Sequence, residues 1–483
     1  MNSDFKRLSF IALGISGLFV GCSDKDNGIL DLPIEDIEIV ESGYTKNPVP
    51  VENKQATAIL GSGGEMAELL KATFTNIVEA NKAKHVIVAL NDLEAYKEDV
   101  LKAYQRGILI TVTDADPARV AEWCDDNGLV YTGDPTSDRP CRLTSFNRKA
   151  NAFSMQRAQL VDGIDDYEVP LFNSFSTWVD KVLTPNLMGP DFRSRDIHKR
   201  FTPQKVTHTF LIDLPSDQIE ASGWALPENA NIHTTADVEY SIYPLHAFAD
   251  NTDFSGDIYI VEANVKIHNA DLFIGRWQYR QGDLLSDLKG FYLSECRLSN
   301  SLAELKNGVL TASSEHQLAA GPAPVTGIVT DKYQSGFDWT FDGWLTGGNG
   351  LESTTPTPIQ EGGWIYDGKA EHEMKDLEIE TVNDASNVSF GLTVMNLPEK
   401  GEGLIPEISS GDLVFNYSWI WKVPQAVDDS DYRYFIEIGI EPVYKWHKAL
   451  RQGSQFEDKT VAPEVAPHRF MIIPPSRREG QRI

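Results

Sequence analysis

The sequence predicts a mainly β protein preceded by a small α/β segment, on three observations. Beyond about residue 160, short runs of alternating apolar and polar residues recur between Gly, Asn and Asp turns. Between about residues 55 and 150, apolar strands alternate instead with helical repeats, the pattern of a parallel sheet. Aromatic residues make up 10% of the 483, a content that leans towards β structure.

At the front, Lys6 and Arg7 precede the apolar run Leu8–Val20, which ends at Gly21-Cys22. This resembles a bacterial lipoprotein signal, which implies a leader over 1–21 and lipidation of Cys22. The acidic run after Cys22 resembles a surface-export tag and implies a lipid-anchored protein of the outer membrane, exposed or released outside the cell. Residues 22–54 are acidic and Pro-punctuated and read as a tether.

The α/β segment, 55–150, reads as strand Ala56–Leu60, helix Glu65–Ala80, strand His85–Leu90, helix Leu93–Tyr104, strand Ile108–Val112 and helix Pro117–Asn127, with Leu129–Thr132 closing the series. Gly61-Ser62-Gly63-Gly64 invites a phosphate-binding reading, but the spacing fits neither the dinucleotide fingerprint nor the P-loop, and a plain turn is preferred. Cys124 and Cys141 can form a bridge outside the cytosol, leaving Cys296 alone. No Cys/His metal spacing, H-E-x-x-H or nucleophile elbow is present, so no metal, cofactor or catalytic residue is assigned.

Residues 160–483 form the β domain. Its strands include Val206–Leu214, Val238–Leu245, Ile258–His268, Val388–Met395, Leu413–Trp421, Tyr432–Ile440 and His468–Ile473, which together read as a β-sandwich. With 43 basic against 71 acidic residues the net charge is -28, which excludes nucleic acid as a partner because phosphate contacts need Lys and Arg.

One stretch departs from ordinary strand pairs. In 336–381, Phe337, Trp339, Phe341 and Leu345 alternate with Asp338, Thr340, Asp342 and Thr346; beyond a Gly- and Pro-rich tip, Trp364, Tyr366, His372 and Met374 lie opposite Asp367, Lys369, Glu371 and Glu373. Alternation sorts the oily residues to one face and the charged ones to the other. Such a hairpin is either a solvent-facing edge of the sandwich or an element that enters a membrane. A spanning strand needs about 9–11 residues, which Phe337–Gly347 and Trp364–Met374 supply, but lipid tolerates no open edge, so several chains must close a barrel.

The order of these features resembles the leukocidin/haemolysin family of β-barrel pore-forming toxins, in the layout of the Vibrio-type cytolysins. The resemblance rests on Ser335-Gly336-Phe337, Gly347-Gly348, Asn387-Val388-Ser389-Phe390, Gly411–Trp421 and the Ile-Glu-Pro-Val segment within Tyr432–Tyr444. It covers about 200–480, with a looser echo across 55–135. It implies a β-sandwich cap with a stem at 336–381, a homo-oligomeric ring on a target membrane, and lipid as partner. Phe337, Trp339, Phe341, Leu345, Trp364, Tyr366 and Met374 would then face lipid, and Asp338, Asp342, Glu371 and Glu373 the lumen. The family's membrane-touching rim corresponds to Asn396–Ser410, which is short here. The rival reading is a non-lytic glycan-binding or structural lipoprotein in which Trp364, Tyr366, Trp419 and Trp421 stack on sugars of a glycan receptor; a third is an enzyme using the α/β segment.

Overall fold

The computed structural model describes Glu38–Val40 and most of residues 49–475, the longer omissions being 157–167, 185–190, 216–231, 249–255, 348–362, 398–404, 425–432 and 450–455. The leader, Cys22 and the hairpin tip therefore lie outside the described residues.

The body is mainly β, as expected. An inner sheet runs in the order Gln317–Ala323, Asp412–Pro424, Gly256–His268, His233–Phe248, Gln204–Asp213, Ala152–Gln156, Cys141–Phe146, Leu109–Ala115, His85–Ala89 and Thr57–Leu60. An outer sheet runs Gly327–Val329, Leu377–Asn383, Asn387–Val394, Tyr292–Lys306, Arg433–Ala449 and Phe456–Val461. Between them lies one apolar core, with Tyr240, Phe415, Tyr417, Trp419 and Trp421 from the inner sheet against Leu298, Phe390, Ile436 and Ile438 from the outer. The central strand Asp412–Pro424 alternates faces, so Phe415, Tyr417, Trp419 and Trp421 enter this core while Ile420 points to the opposite side of the sheet.

The α/β segment does not stand apart from this sheet. Its parallel strands Thr57–Leu60, His85–Ala89 and Leu109–Ala115 continue into antiparallel Cys141–Phe146 and on into the sandwich. The expected strand Leu129–Thr132 is absent. That stretch instead bonds the far end of the chain, through a Gly133–Phe470 bridge and a hydrogen bond from the Met471 N–H to the Thr132 carbonyl. The expected helix Glu65–Ala80 stops at Thr73, because Asn53 and Thr57 draw Phe74 and Ile77 into isolated parallel bridges. A helix not anticipated, Glu168–Leu183, packs Leu171, Phe172, Phe175, Trp178 and Val179 onto the sheet beside Phe74 and Phe153. Glu38–Val40, inside the stretch read as tether, pairs antiparallel with Arg276–Gln281.

Among the described residues no helix is long and apolar enough to cross a membrane. Cys124, Cys141 and Cys296 are all buried and unbridged, and burial pushes their thiols up, that of Cys141 to about 12. Such thiols are inert at neutral pH.

Histidines packed into the body set an acid limit on it, His85 and His208 buried and His468 half-buried. His208 and His468 stack with ring centroids 3.5 Å apart, and His85 shares a hydrogen bond of 2.7 Å with Thr111. Burial lowers all three, His85 and His468 to about 3. The folded chain thus refuses protons that the unfolded chain accepts below its ordinary histidine value of about 6.5, so stability is full above that pH and falls as pH drops towards 3. The melting temperature is expected to fall steadily from pH 7 to pH 4, and His468→Phe, which keeps a stacked ring without a titrating group, should flatten the slope; a melting temperature constant over that range would contradict this.

Candidate functional site

The alternating hairpin forms a ribbon that lies on the inner sheet, on the face opposite the sandwich core. Two antiparallel ladders make it: Lys332–Gln334 against Glu371–Glu373, and Asp338–Phe341 against Trp364–Asp367. Lys332 faces Glu373 and, six residues on, Asp338 faces Asp367, six residues back, so both ladders share one register. That register covers 332–341 and 364–373. It starts four residues before the expected stem, and its second ladder leaves off at Phe341, short of Gly347.

Beyond Phe341 the first arm departs from its partner. Trp344–Gly347 pairs with the end of the inner-sheet strand His233–Phe248, with Leu345 opposite Ala247. The expected unbroken strand Phe337–Gly347 is thus divided between Phe341 and Trp344, and among the described residues this short ladder is where the ribbon pairs with a strand of the inner sheet.

The faces sort as the alternation requires. Phe341, Leu345, Trp364, Tyr366 and Met374 are buried, and Phe337 and Trp339 partly so. Phe337, Trp339, Phe341, Leu345, Trp364 and Tyr366 pack with Tyr243, Leu245, Ile258, Ile260 and Ile420 of the inner sheet; Met374 joins the sandwich core instead. Asp338, Asp342, Glu371 and Glu373 are exposed. Asp338 and Asp367 lie directly opposite each other, a repulsive placement that the Lys369–Asp338 ion pair offsets in part.

The root of the ribbon carries a polar clasp the sequence did not flag. Ser335 Oγ and His372 Nε2 are 2.7 Å apart, and Asn416 Nδ2 is 3.3 Å from His372 Nδ1. Asn416 Oδ1 accepts from Asn264 at 2.7 Å, which turns its NH2 towards the imidazole. His372 Nδ1 then accepts and Nε2–H donates to Ser335, the reverse of what a general base for that hydroxyl requires. Burial lowers His372, in keeping with a neutral ring. The apolar pattern hid this clasp because Ser335 interrupts it.

A second holdfast comes from a segment distant in sequence. The turn around the short helix Ile197–Arg200 lies along the outer edge of Trp364–Asp367. The Ile365 N–H donates to the Arg195 carbonyl at 3.0 Å, Asp196 and Ile365 form a parallel bridge, and the Phe201 and Trp364 ring centroids are 5.4 Å apart. Glu262 Oε1, from the strand beneath, accepts from the Tyr366 hydroxyl at 3.0 Å and lies 2.6 Å from His198 Nε2. Burial pulls His198 down, but the hydrogen bond and charge of Glu262, with Asp196 and Asp367, outweigh it and the net shift is upward.

Other candidates resolve differently. Trp364, Tyr366, Trp419 and Trp421 are buried, so they do not form a sugar-stacking surface in this conformation; their strands are covered on the face that carries them. In the glycine loop the phosphate position is taken by the chain's own carboxylates: Asp92 accepts from the Ser62 N–H at 3.0 Å and Asp114 from the Glu65 N–H at 3.0 Å. Gly64, at φ 66, is needed there because a Cβ would lie 1.9 Å from Asp114 Oδ2. Among the described residues no group of three or more His, Cys, Asp or Glu could hold a metal. Of the short rim, the described part includes a small helix, Glu407–Ser410, whose Ser409 is buried.

The ribbon's tightest point is Gly336, where a Cβ would lie 1.8 Å from the Gly368 carbonyl oxygen. Gly336→Val is expected to part the two ladders and cost about 1–3 kcal/mol, the usual range for overpacking, measured by urea unfolding; an unchanged midpoint would show that the arms do not meet this closely.

No protein-family model matches the chain, and no curated protein does. Among solved structures, one described as a pore forming protein is similar over 55% of this chain and 90% of its own, at 10% identity and a TM-score of 0.27. The Clostridium perfringens NetB toxin in the membrane inserted form is similar over 55% of this chain and 94% of its own, at 10% identity and a TM-score of 0.24.

Proposed function

We propose that the chain is a surface lipoprotein of the pore-forming toxin type, which oligomerises and inserts the ribbon 332–374 into a target membrane as its share of a β-barrel. The observation that carries this reading is the construction of the ribbon. Its ladders form two-stranded sheets of their own, laid face-down on a sheet that, among the described residues, they join by a strand ladder at Trp344–Gly347 and otherwise by hydrogen bonds that involve a side chain, such as Ser418 to the Ser335 carbonyl and Tyr366 to Glu262. An ordinary sandwich edge would be hydrogen-bonded along its length. A ribbon held mainly by side chains exchanges one apolar covering for another without dismantling the body.

The energetics fit that exchange. Full burial of each large apolar side chain is worth about 1.5–3 kcal/mol, whether against protein or lipid. Insertion thus gains little from the oily face itself, and the drive must come from pairing the arms with those of neighbouring subunits, which also satisfies the backbone groups that lipid leaves bare. The shared register 332–341 against 364–373 gives ten residues per arm, within the roughly 9–11 that a tilted strand needs to span. Phe337, Trp339, Phe341, Leu345, Trp364 and Tyr366 would face lipid.

The leaderless chain with Cys22→Ser is expected to release dye from liposomes, including ones of bacterial lipids; no release from any bilayer would defeat the proposal. With Asp338, Asp342, Glu371 and Glu373 turned to the lumen, single channels should prefer cations, and Asp338→Asn with Glu371→Gln should reduce that preference. Anion selectivity in the unsubstituted channel would contradict the assignment of faces.

A further inference from the structure

The segment Asp191–Phe201 has the build of a fastening. It folds back on itself through the Asp191 N–H to the Lys199 carbonyl at 2.7 Å, caps its helix with Asp196 on the His198 N–H at 3.0 Å, and sinks Ile197 completely. It then offers the ribbon one backbone bond, at Ile365, and one side-chain relay, His198–Glu262–Tyr366. Neither is part of a sheet. They hold the edge of the arm that carries the two most buried aromatics of the ribbon, Trp364 and Tyr366.

The charge around the relay is one-sided. Facing His198 are Glu262 from the strand beneath, Asp367 from the ribbon, and Asp196 from its own turn at 3.8 Å. Tyr243 and Tyr366 supply neutral ring walls at centroid distances of 5.3 and 4.9 Å. The neighbouring cation Lys199 is paired at 3.0 Å with Asp196. His198 thus places its proton on Glu262, beside Asp196 and Asp367, where the strap meets the ribbon.

Taking the ribbon as the mobile element proposed above, we infer that Asp191–Phe201 is a proton-set strap: with His198 protonated, Glu262 and through it Tyr366 are held, and loss of that proton loosens the ribbon. The sign follows from the surroundings. The folded state raises the affinity of His198 for its proton, so the stabilisation is complete below the ordinary histidine value and is lost as pH rises through the elevated one. Deprotonation leaves the imidazole able to donate a neutral hydrogen bond to Glu262, but removes the counter-charge and turns a lone pair towards Asp196. The strap therefore slackens at higher pH, while acid leaves it fastened.

The test is amide hydrogen exchange of Ile365 and Tyr366 in the full-length chain between pH 6 and pH 9, corrected for intrinsic exchange. Protection is expected to fall several-fold across that range. His198→Gln should be less protected at pH 6 and show no such step. Glu262→Gln, which keeps an acceptor for both partners but removes the charge, should shift the step to lower pH. A step of equal size and position in both variants, or none in the unsubstituted chain, overturns the inference. Because leakage is not the readout, a ribbon that never enters lipid would defeat the pore reading and leave the strap standing, and a pore former with a flat exchange profile would do the reverse.

Discussion

One requirement governs this architecture: the apolar face of the ribbon must stay covered. Phe341, Trp364 and Tyr366 would expose large ring areas if the ribbon lifted into water, and aromatic side chains bury some 150–250 Å² each. The inner sheet answers by presenting apolar side chains on both faces. One set builds the sandwich core with the outer sheet, and the other, Tyr243, Leu245, Ile258, Ile260 and Ile420, receives the ribbon. The strand Asp412–Pro424 serves both purposes, which is why it is apolar or aromatic at most positions.

The polar contacts around the ribbon place it rather than bury it. At the root, Ser335, His372 and Asn416 form a neutral clasp, lowered in proton affinity by burial. Farther out, His198 with Glu262 forms a charged one, raised in proton affinity by its carboxylates. Acid opposes the first and alkali the second, so the folded-down position is best held between those extremes. The exposed face contributes little to the holding. Its Lys332–Glu371 and Lys369–Asp338 pairs are solvent-exposed, and such pairs stabilise weakly.

The faces of the ribbon were legible in the sequence because alternation in a strand is a local rule: Phe337, Trp339, Phe341, Leu345, Trp364 and Tyr366 pack together on one face while Asp338, Asp342, Glu371 and Glu373 are exposed, and Met374 departs by joining the sandwich core. The register was less so. Ser335, His372 and the small residues Gly336 and Gly368 interrupt the apolar pattern, so the start at Lys332 carries no sequence signal. The strap could not be read at all, since 168 positions separate His198 from Tyr366 and nothing local marks a turn as the partner of a distant strand. The helix Glu168–Leu183 was readable: Leu171, Phe172, Phe175, Trp178 and Val179 follow helical spacing, but the strand-rich surroundings masked it. Continuity of the α/β strands with the sandwich depends on long-range pairing, which local periodicity does not encode.

The central claim, that the ribbon is stored and then leaves the sheet, is tested most directly by tying it down. Leu345 and Ala247 are register partners across the short ladder that joins ribbon to body, and paired residues in antiparallel strands lie roughly 4.5–5.5 Å apart at Cα, a separation a disulfide can bridge. In the leaderless chain with Cys22→Ser, the remaining native thiols Cys124, Cys141 and Cys296 are buried and stay out of the reaction. With Leu345→Cys and Ala247→Cys oxidised, the account predicts that vesicle leakage is abolished and returns on reduction. Leakage of equal extent in the oxidised and reduced forms would contradict it.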